Sequence, residues 1–206
     1  MIKACLFDLF GTLVSDTKCS GNVPEEVLPP SRNESLDILA SSGGITGLSP
    51  QEGRSRIYEN TRSYFEYNDR QMADMILPGA LDFVKELHRN GIKLASTSTN
   101  CHPDKVLSSI GLYGLFDYIV DPKSVAERPD PEALLKAANH LGVPVEECIA
   151  IESTPQGLEA AKAAGMRSMA VGDLSELYNA NMGVTSLKGF TLLKLKDGVE
   201  VSKHSC

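Results

Sequence analysis

KACLFDLFGTLV, residues 3 to 14, decides how the rest of the chain reads. A short apolar run ends at Asp8, and Gly11-Thr12 follows three residues later. That is the pattern of a buried strand handing a carboxylate to a loop. A carboxylate in that position can attack an electrophilic phosphorus or carbon. Gly11 lets the backbone turn closely around a ligand. An isolated Asp-x-x-Gly-Thr also makes an ordinary turn, so the remaining chain has to decide. Phe10, two residues beyond Asp8, places an aromatic ring where a second acid would be expected.

Working outward, strand-like runs alternate with helical patterns. KLAST (93–97) follows ALDFVKELHRNG, a helix pattern stopped by Gly91. DYIV (117–120) follows HPDKVLSSIGLYG, where Pro103 suits a first helical turn. CIAI (148–151) follows DPEALLKAANHLG, with Asp130 as cap, Pro131 as first helical residue and Gly142 as stop. SMAV (168–171) follows TPQGLEAAKAAG, with Thr154 as cap, Pro155 at the first position and Gly165 as stop. Short strands alternating with 10–15 residue helices predict an α/β fold with a parallel sheet of crossover units. Chemistry in such sheets sits at the carboxyl ends of the strands. Asp8, Ser98, Asp121 and Glu152 all fall at predicted strand ends.

Residues 16–75 break this rhythm. They hold no convincing strand, and Ser49-Pro50-Gln51-Glu52 is a capping box that starts a long helix carrying Tyr58, Tyr64, Phe65 and Tyr67. The stretch reads as a small helical insert after the first strand, with the chain returning at Leu77-Pro78-Gly79. The core is then 1–15 plus 76–206. In the tail, KGFTLLKLKDGVEVSKHSC, a Lys-Asp-Gly turn between alternating apolar runs predicts a hairpin.

The chain has 206 residues, 42% of them hydrophobic, enough for one core with a small insert. Its net charge of −7 argues against nucleic-acid partners, which call for a basic face. No apolar run approaches the roughly 18 residues of a membrane span. MIKACLF runs straight into the first strand without a signal-peptide pattern, so the cytoplasm is the expected location. The five cysteines, at 5, 19, 101, 148 and 206, form no CxxC pair. Cys5 and Cys148 lie in apolar runs and read as buried thiols.

Beyond Asp8, four places could carry chemistry. Ser98 and Thr99 end the second strand ahead of a helix, which makes an anion seat or a plain cap. Arg128, before the capped helix at 130, could neutralise a phosphate or carboxylate, or lie in solvent. Glu152 ends the fourth strand, and beside Asp8 it would suit Mg²⁺, which prefers oxygen ligands. Each signal is weak alone.

Taken in order, a strand-end Asp with Gly-Thr, a strand-end Ser/Thr, a cation before a Pro-rich cap and a strand-end carboxylate resemble the haloacid dehalogenase superfamily. With an insert directly after the first motif, the chain resembles the branch of β-phosphoglucomutase and sugar-phosphate phosphatases. LPGALDFVKELHRNGIKLAST, GLYGLFDYIVDPKSVAERPDPEALLKAANHLGV and GLEAAKAAGM all look like that branch, and SRNESL (31–36) looks like its segment supplying a phosphate-binding Arg, here Arg32. The resemblance implies a Rossmann-like parallel sheet flanked by helices, with a helical cap at 16–75. It implies phosphoryl transfer to a nucleophilic Asp8, with Phe10, Ser98 and Arg128 at the other catalytic positions. Thr12, Arg32, Ser98, Thr99 and Arg128 would contact the phosphate of a small phosphorylated metabolite. Mg²⁺ would sit on the Asp8 carboxylate, the Phe10 carbonyl and Glu152, with residue 153 beside them. A monomer or dimer is expected.

Four positions depart from that pattern. Phe10 replaces the acid that protonates the leaving group and activates water, a loss of about 10²–10⁴ in rate for general acid–base catalysis. Arg128 replaces a lysine, keeping the charge but changing reach and geometry. Ser153 replaces the acid after Glu152, which implies a weakened or missing Mg²⁺ site. The first cap helix is short, with Asp16 close to Arg32. Two alternatives follow. The chain could be an inactive binder of phosphorylated ligands or proteins. It could also be a metal-free carbon–halogen hydrolase, because the dehalogenase branch itself resembles DLYGTL here. In that branch an Asn and an Asp are expected where this chain has Thr154 and Gly157.

Overall fold

The computed structural model describes residues 1–15, 75–99, 103–177 and 179–203. The proposed cap is therefore outside the described residues except for Met75. So are Arg32, the capping box at 49–52 and its aromatic residues.

Six strands form one parallel sheet in the order β3-β2-β1-β4-β5-β6. They are β1 (Ala4–Phe7), β2 (Lys93–Ser96), β3 (Tyr118–Ile119), β4 (Cys148–Glu152), β5 (Arg167–Val171) and β6 (Met182–Val184). The helices are α1 (Ala80–Arg89), α2 (Pro103–Ser109), α3 (Glu132–Leu141), α4 (Pro155–Ala163) and α5 (Leu192–Lys203). Strands β1 to β3 build outward on one side, and the chain then returns to lay β4 on the other side of β1. The order thus reverses between β1 and β4, the place where ligands bind in open parallel sheets.

The alternation of β1 sets the two layers. Cys5 and Phe7 face the cluster that includes Phe83 and Leu87 of α1, Leu107 of α2 and Leu195 of α5. Ala4 and Leu6 face Ala133, Ala137 and Leu141 of α3 and Ala160 and Ala161 of α4. Alanines on both partners of this second face let the helices lie close to the sheet. Phe7 meets Phe83 and Phe116 edge-on, an arrangement that aromatic rings favour. Cys5 and Cys148 are both fully buried, as their apolar contexts predict.

The ends of the insert are tied together. Ser15 N–H donates to the Met75 carbonyl at 2.8 Å and Leu77 N–H to the Leu13 carbonyl at 2.9 Å. Val14 and Ile76 form an antiparallel bridge. The chain leaves and re-enters the core at one point, slightly earlier than Leu77-Pro78-Gly79 suggests. Gly79 then caps α1 at φ 84°, with Leu187 backbone pressed where a side chain would stand.

One expectation is corrected, and one strand was not foreseen. The tail is not a hairpin but α5. Its L-K-L-K alternation mimics a strand, yet Leu192 and Leu195 are the buried pair, spaced i, i+3, while Leu193 is 67% exposed. Thr191 starts the helix, its Oγ1 accepting from Lys194 N–H at 3.4 Å. Gly198, read as a turn, lies inside the helix where a β-carbon would crowd the Met182 side chain. Strand β6 had no sequence signal: three residues, Met-Gly-Val, show no usable period. α3 begins at Glu132, one residue later than predicted, while Asp130 still accepts from Glu132 N–H at 2.9 Å. The other capped helix start is as read: Thr154 Oγ1 accepts from Gly157 N–H at 3.1 Å, a cap that typically stabilises by about 1 kcal/mol.

Candidate active site

The register of the central strands assembles the site. Phe7 pairs with Ser96 on one side and Ile151 on the other. Asp8 N–H donates to the Ile151 carbonyl at 3.0 Å, and Thr97 N–H donates to the Phe7 carbonyl at 2.9 Å. Asp8, Thr97-Ser98 and Glu152 therefore end three adjacent strands at one sheet edge. Asp121, grouped with them from sequence, serves only its own turn, accepting from Lys123 N–H at 3.0 Å on the exposed side of β3.

Arg128 reaches this edge from the loop before α3. Its Nη2 donates to Glu152 Oε1 at 2.6 Å and to the Thr97 carbonyl at 3.1 Å, while Nη1 lies 3.3 Å from Asp8 Oδ1. One planar guanidinium thus spans both carboxyl groups, which a lysine ammonium could not match in geometry. Asp8 is 2% exposed and Glu152 is fully buried. Burial pushes the Glu152 carboxyl up to about 8, with Arg128 pulling it down and Asp8 pushing it up. Burial works against the charge of Arg128, but Glu152 and Asp8 outweigh it and hold the guanidinium above its ordinary value.

Several buried polar atoms at this edge have no hydrogen-bond partner: Thr12 Oγ1, Ser98 Oγ, Ser96 Oγ and Glu152 Oε2. Asp8 Oδ1 touches Arg128 without a well-aligned hydrogen bond. Buried polar groups are rarely left unsatisfied, and such groups point to a missing ligand or to function. Thr99 is half-buried next to them.

Phe10 is 5% exposed and joins the core, and its ring carries no group that could give or take a proton. Its carbonyl accepts from Ser153 Oγ at 2.7 Å. Sequence reasoning missed this pair, and it missed the Thr97 carbonyl as an anchor for Arg128. Neither has a sequence signal, because both depend on atoms brought together across the sheet.

The oxygen donors here are of the type Mg²⁺ prefers. Their arrangement does not fit a resident ion. Arg128 contacts both carboxyl groups that would share it, and Ser153 contacts the carbonyl. Among the described residues, no three acidic, histidine or cysteine groups are placed to hold a metal.

A strand-end Asp at the reversal point of a parallel sheet, bridged by a cation to a second strand-end acid, puts the candidate site where open α/β sheets bind ligands. The family model for haloacid dehalogenase-like hydrolases matches residues 2–165, and the chain belongs to that family, in its β-phosphoglucomutase-like branch. It is 28% identical over 209 residues to the β-phosphoglucomutase of Bacillus subtilis (strain 168), covering 93% of this chain and 92% of that one. It superposes on a crystal structure of β-phosphoglucomutase from Clostridium difficile with a TM-score of 0.68 at 26% identity, covering 99% and 100% of the two chains. It also matches CbbY from Rhodobacter sphaeroides in complex with xylulose-(1,5)bisphosphate, with a TM-score of 0.63 at 27% identity, covering 95% and 99%. Enzymes of this family generally use Mg²⁺. No helix among the described residues is long and apolar enough to cross a membrane.

Proposed function

We propose that this chain transfers a phosphoryl group from a small phosphorylated metabolite to Asp8. The supporting observation is a buried Asp8 at the end of the central strand, fixed by Arg128 and flanked by the unpartnered hydroxyls of Ser98 and Thr12. An Asp8 oxygen attacks phosphorus, and the bond to the leaving oxygen breaks with its electron pair. The product is an aspartyl phosphate. In this reading the hydroxyls of Ser98, Thr12 and Thr99 and the Arg128 guanidinium hold the phosphoryl oxygens, whose charge develops in the transition state. Water then attacks phosphorus, the bond to Asp8 breaks, and phosphate leaves. The insert at 16–75 is the proposed cap over this edge, with Arg32 as a further phosphate contact, and the cytoplasm is the proposed location.

Phe10 sets the substrate range. It can neither protonate a leaving alkoxide nor take a proton from water. Acyl and aryl phosphates need no such acid, so they phosphorylate Asp8 faster than sugar phosphates do, and the aspartyl phosphate persists. Sugar phosphates remain the natural class to test, since relatives named above act on or bind sugar phosphates by name. Carbon–halogen hydrolysis is less favoured. Its branch would place an Asp at 157, where even a β-carbon would collide with the Glu152 carboxyl group. Thr154 is occupied in capping α4. The test is steady-state phosphate release from aryl and alkyl phosphates by wild type and Asp8→Asn, with haloacid turnover alongside. Equal rates for both proteins on every phosphate would refute the proposal and leave the inert binder.

A further inference from the structure

We propose that this site holds its phosphoryl ligand without a divalent cation, with the Arg128 guanidinium as its fixed cation and Ser153 closing the remaining metal position. The inference rests on the reading of this edge as a phosphate site.

Two independent contacts carry it. The first is Arg128. A cation shared by Asp8 and Glu152 would have to lie between their oxygens, and Nη1 and Nη2 already stand against both, at 3.3 and 2.6 Å. The Thr97 carbonyl, 3.1 Å from Nη2, gives the same nitrogen a second acceptor and fixes the plane of the group. The Arg128 side chain is only 11% exposed, so it cannot swing into water at little cost. Mg²⁺ wants oxygens at about 2.0–2.1 Å and is repelled by a neighbouring positive group.

The second contact is Ser153 on Phe10. A carboxylate at 153 would face a carbonyl oxygen, and two acceptors sit side by side only with a cation or proton between them. Serine resolves this differently. Its hydroxyl donates directly to the carbonyl at 2.7 Å, so the pair is satisfied without a metal. The substitutions at 128 and 153 are therefore chemically consistent: one supplies a fixed positive charge, and the other removes the need for a bridging ion. Of the buried polar atoms left without a hydrogen-bond partner, the hydroxyls of Thr12 and Ser98 are suited to donating to an anion, while Glu152 Oε2 stays unpartnered although its other oxygen is held by Arg128.

The test uses the full chain, stripped with chelator and desalted. Inorganic phosphate is titrated by thermal shift in EDTA and in excess MgCl₂, and Mg²⁺ alone is titrated by calorimetry. The expected results are phosphate affinities that agree within about twofold in the two buffers, as linkage requires when the ion does not bind, and no saturable Mg²⁺ heat. An Arg128→Lys/Ser153→Asp double variant should acquire saturable Mg²⁺ heat. Saturable Mg²⁺ heat in wild type, or a phosphate shift that requires MgCl₂, would overturn the inference while leaving phosphoryl transfer standing. A folded double variant that still ignores Mg²⁺ would overturn the assignment to Arg128 and Ser153. No phosphate shift in either buffer would overturn the anion site itself. Metal-free phosphate binding without phosphorylation of Asp8 would sustain the inference and refute the proposed reaction.

Discussion

Gly157→Ala tests the geometry of the site through one methyl group. Gly157 lies in the first turn of α4, and an ideal β-carbon there would collide with Glu152 Oε2, lie 2.7 Å from its Cδ and 3.1 Å from Thr154 Oγ1. The Glu152 carboxyl cannot simply turn aside. It is fully buried, and its other oxygen is held by Arg128 at 2.6 Å. Overpacking a filled interior typically costs about 1–3 kcal/mol. Alanine in place of glycine in a helix returns up to about 1 kcal/mol. A contact this close with a held carboxyl falls at the upper end of the overpacking range, so the net loss is about 2 kcal/mol, or about 4–8 °C in melting temperature for a domain of this size. Thermal unfolding followed by circular dichroism measures it. Glu152→Asp, shorter by one methylene, should relieve the clash, so the double variant should melt higher than the summed single effects predict. A Gly157→Ala protein that melts at or above wild type would refute the placement of Glu152 against α4.

Two further predictions concern charge and proton transfer. Phe10→Asp should raise turnover of alkyl phosphates by about 10², and that of aryl or acyl phosphates much less, if the missing general acid–base group limits the rate; steady-state phosphate release on both classes checks it, and equal gains would contradict it. Glu152 titrates near 8 in the fold against an ordinary value of 4.5, so the folded state holds its proton more tightly than the unfolded state does. Its contribution to stability is therefore fully present below about pH 4.5 and is lost as pH rises toward 8, by at most about 1.4 kcal/mol per pH unit. Chemical denaturation at acid and neutral pH should show wild type losing stability relative to Glu152→Gln as pH rises; a flat or rising difference would contradict this.

How much of this was legible depended on whether a residue's role was local. Strand-end Asp8 and Glu152, the Thr154 cap and the stops at Gly91, Gly142 and Gly165 are written in short-range patterns, and each is found in the structure. The tail misled because Leu192, Leu193 and Leu195 satisfy both a period of two and a helical spacing. Only packing on α1 and β6 selects between them. The bond from Ser153 to the Phe10 carbonyl joins residues 143 positions apart, and Arg128 meets Glu152 across 24. From sequence, Ser153 reads as the loss of an acid. Only the fold shows what its hydroxyl does instead.

The central claim is that Asp8 is a nucleophile whose phosphorylated form lacks a group to hydrolyse it quickly. Intact-protein mass spectrometry after brief mixing with acetyl phosphate tests this most directly. Wild type should gain the mass of one phosphoryl group, mapping to Asp8 and decaying slowly after the donor is removed. Asp8→Asn should gain nothing, and Phe10→Asp should lose the adduct faster. No adduct on wild type under conditions where phosphate binds, or an adduct that survives in Asp8→Asn, would contradict the account.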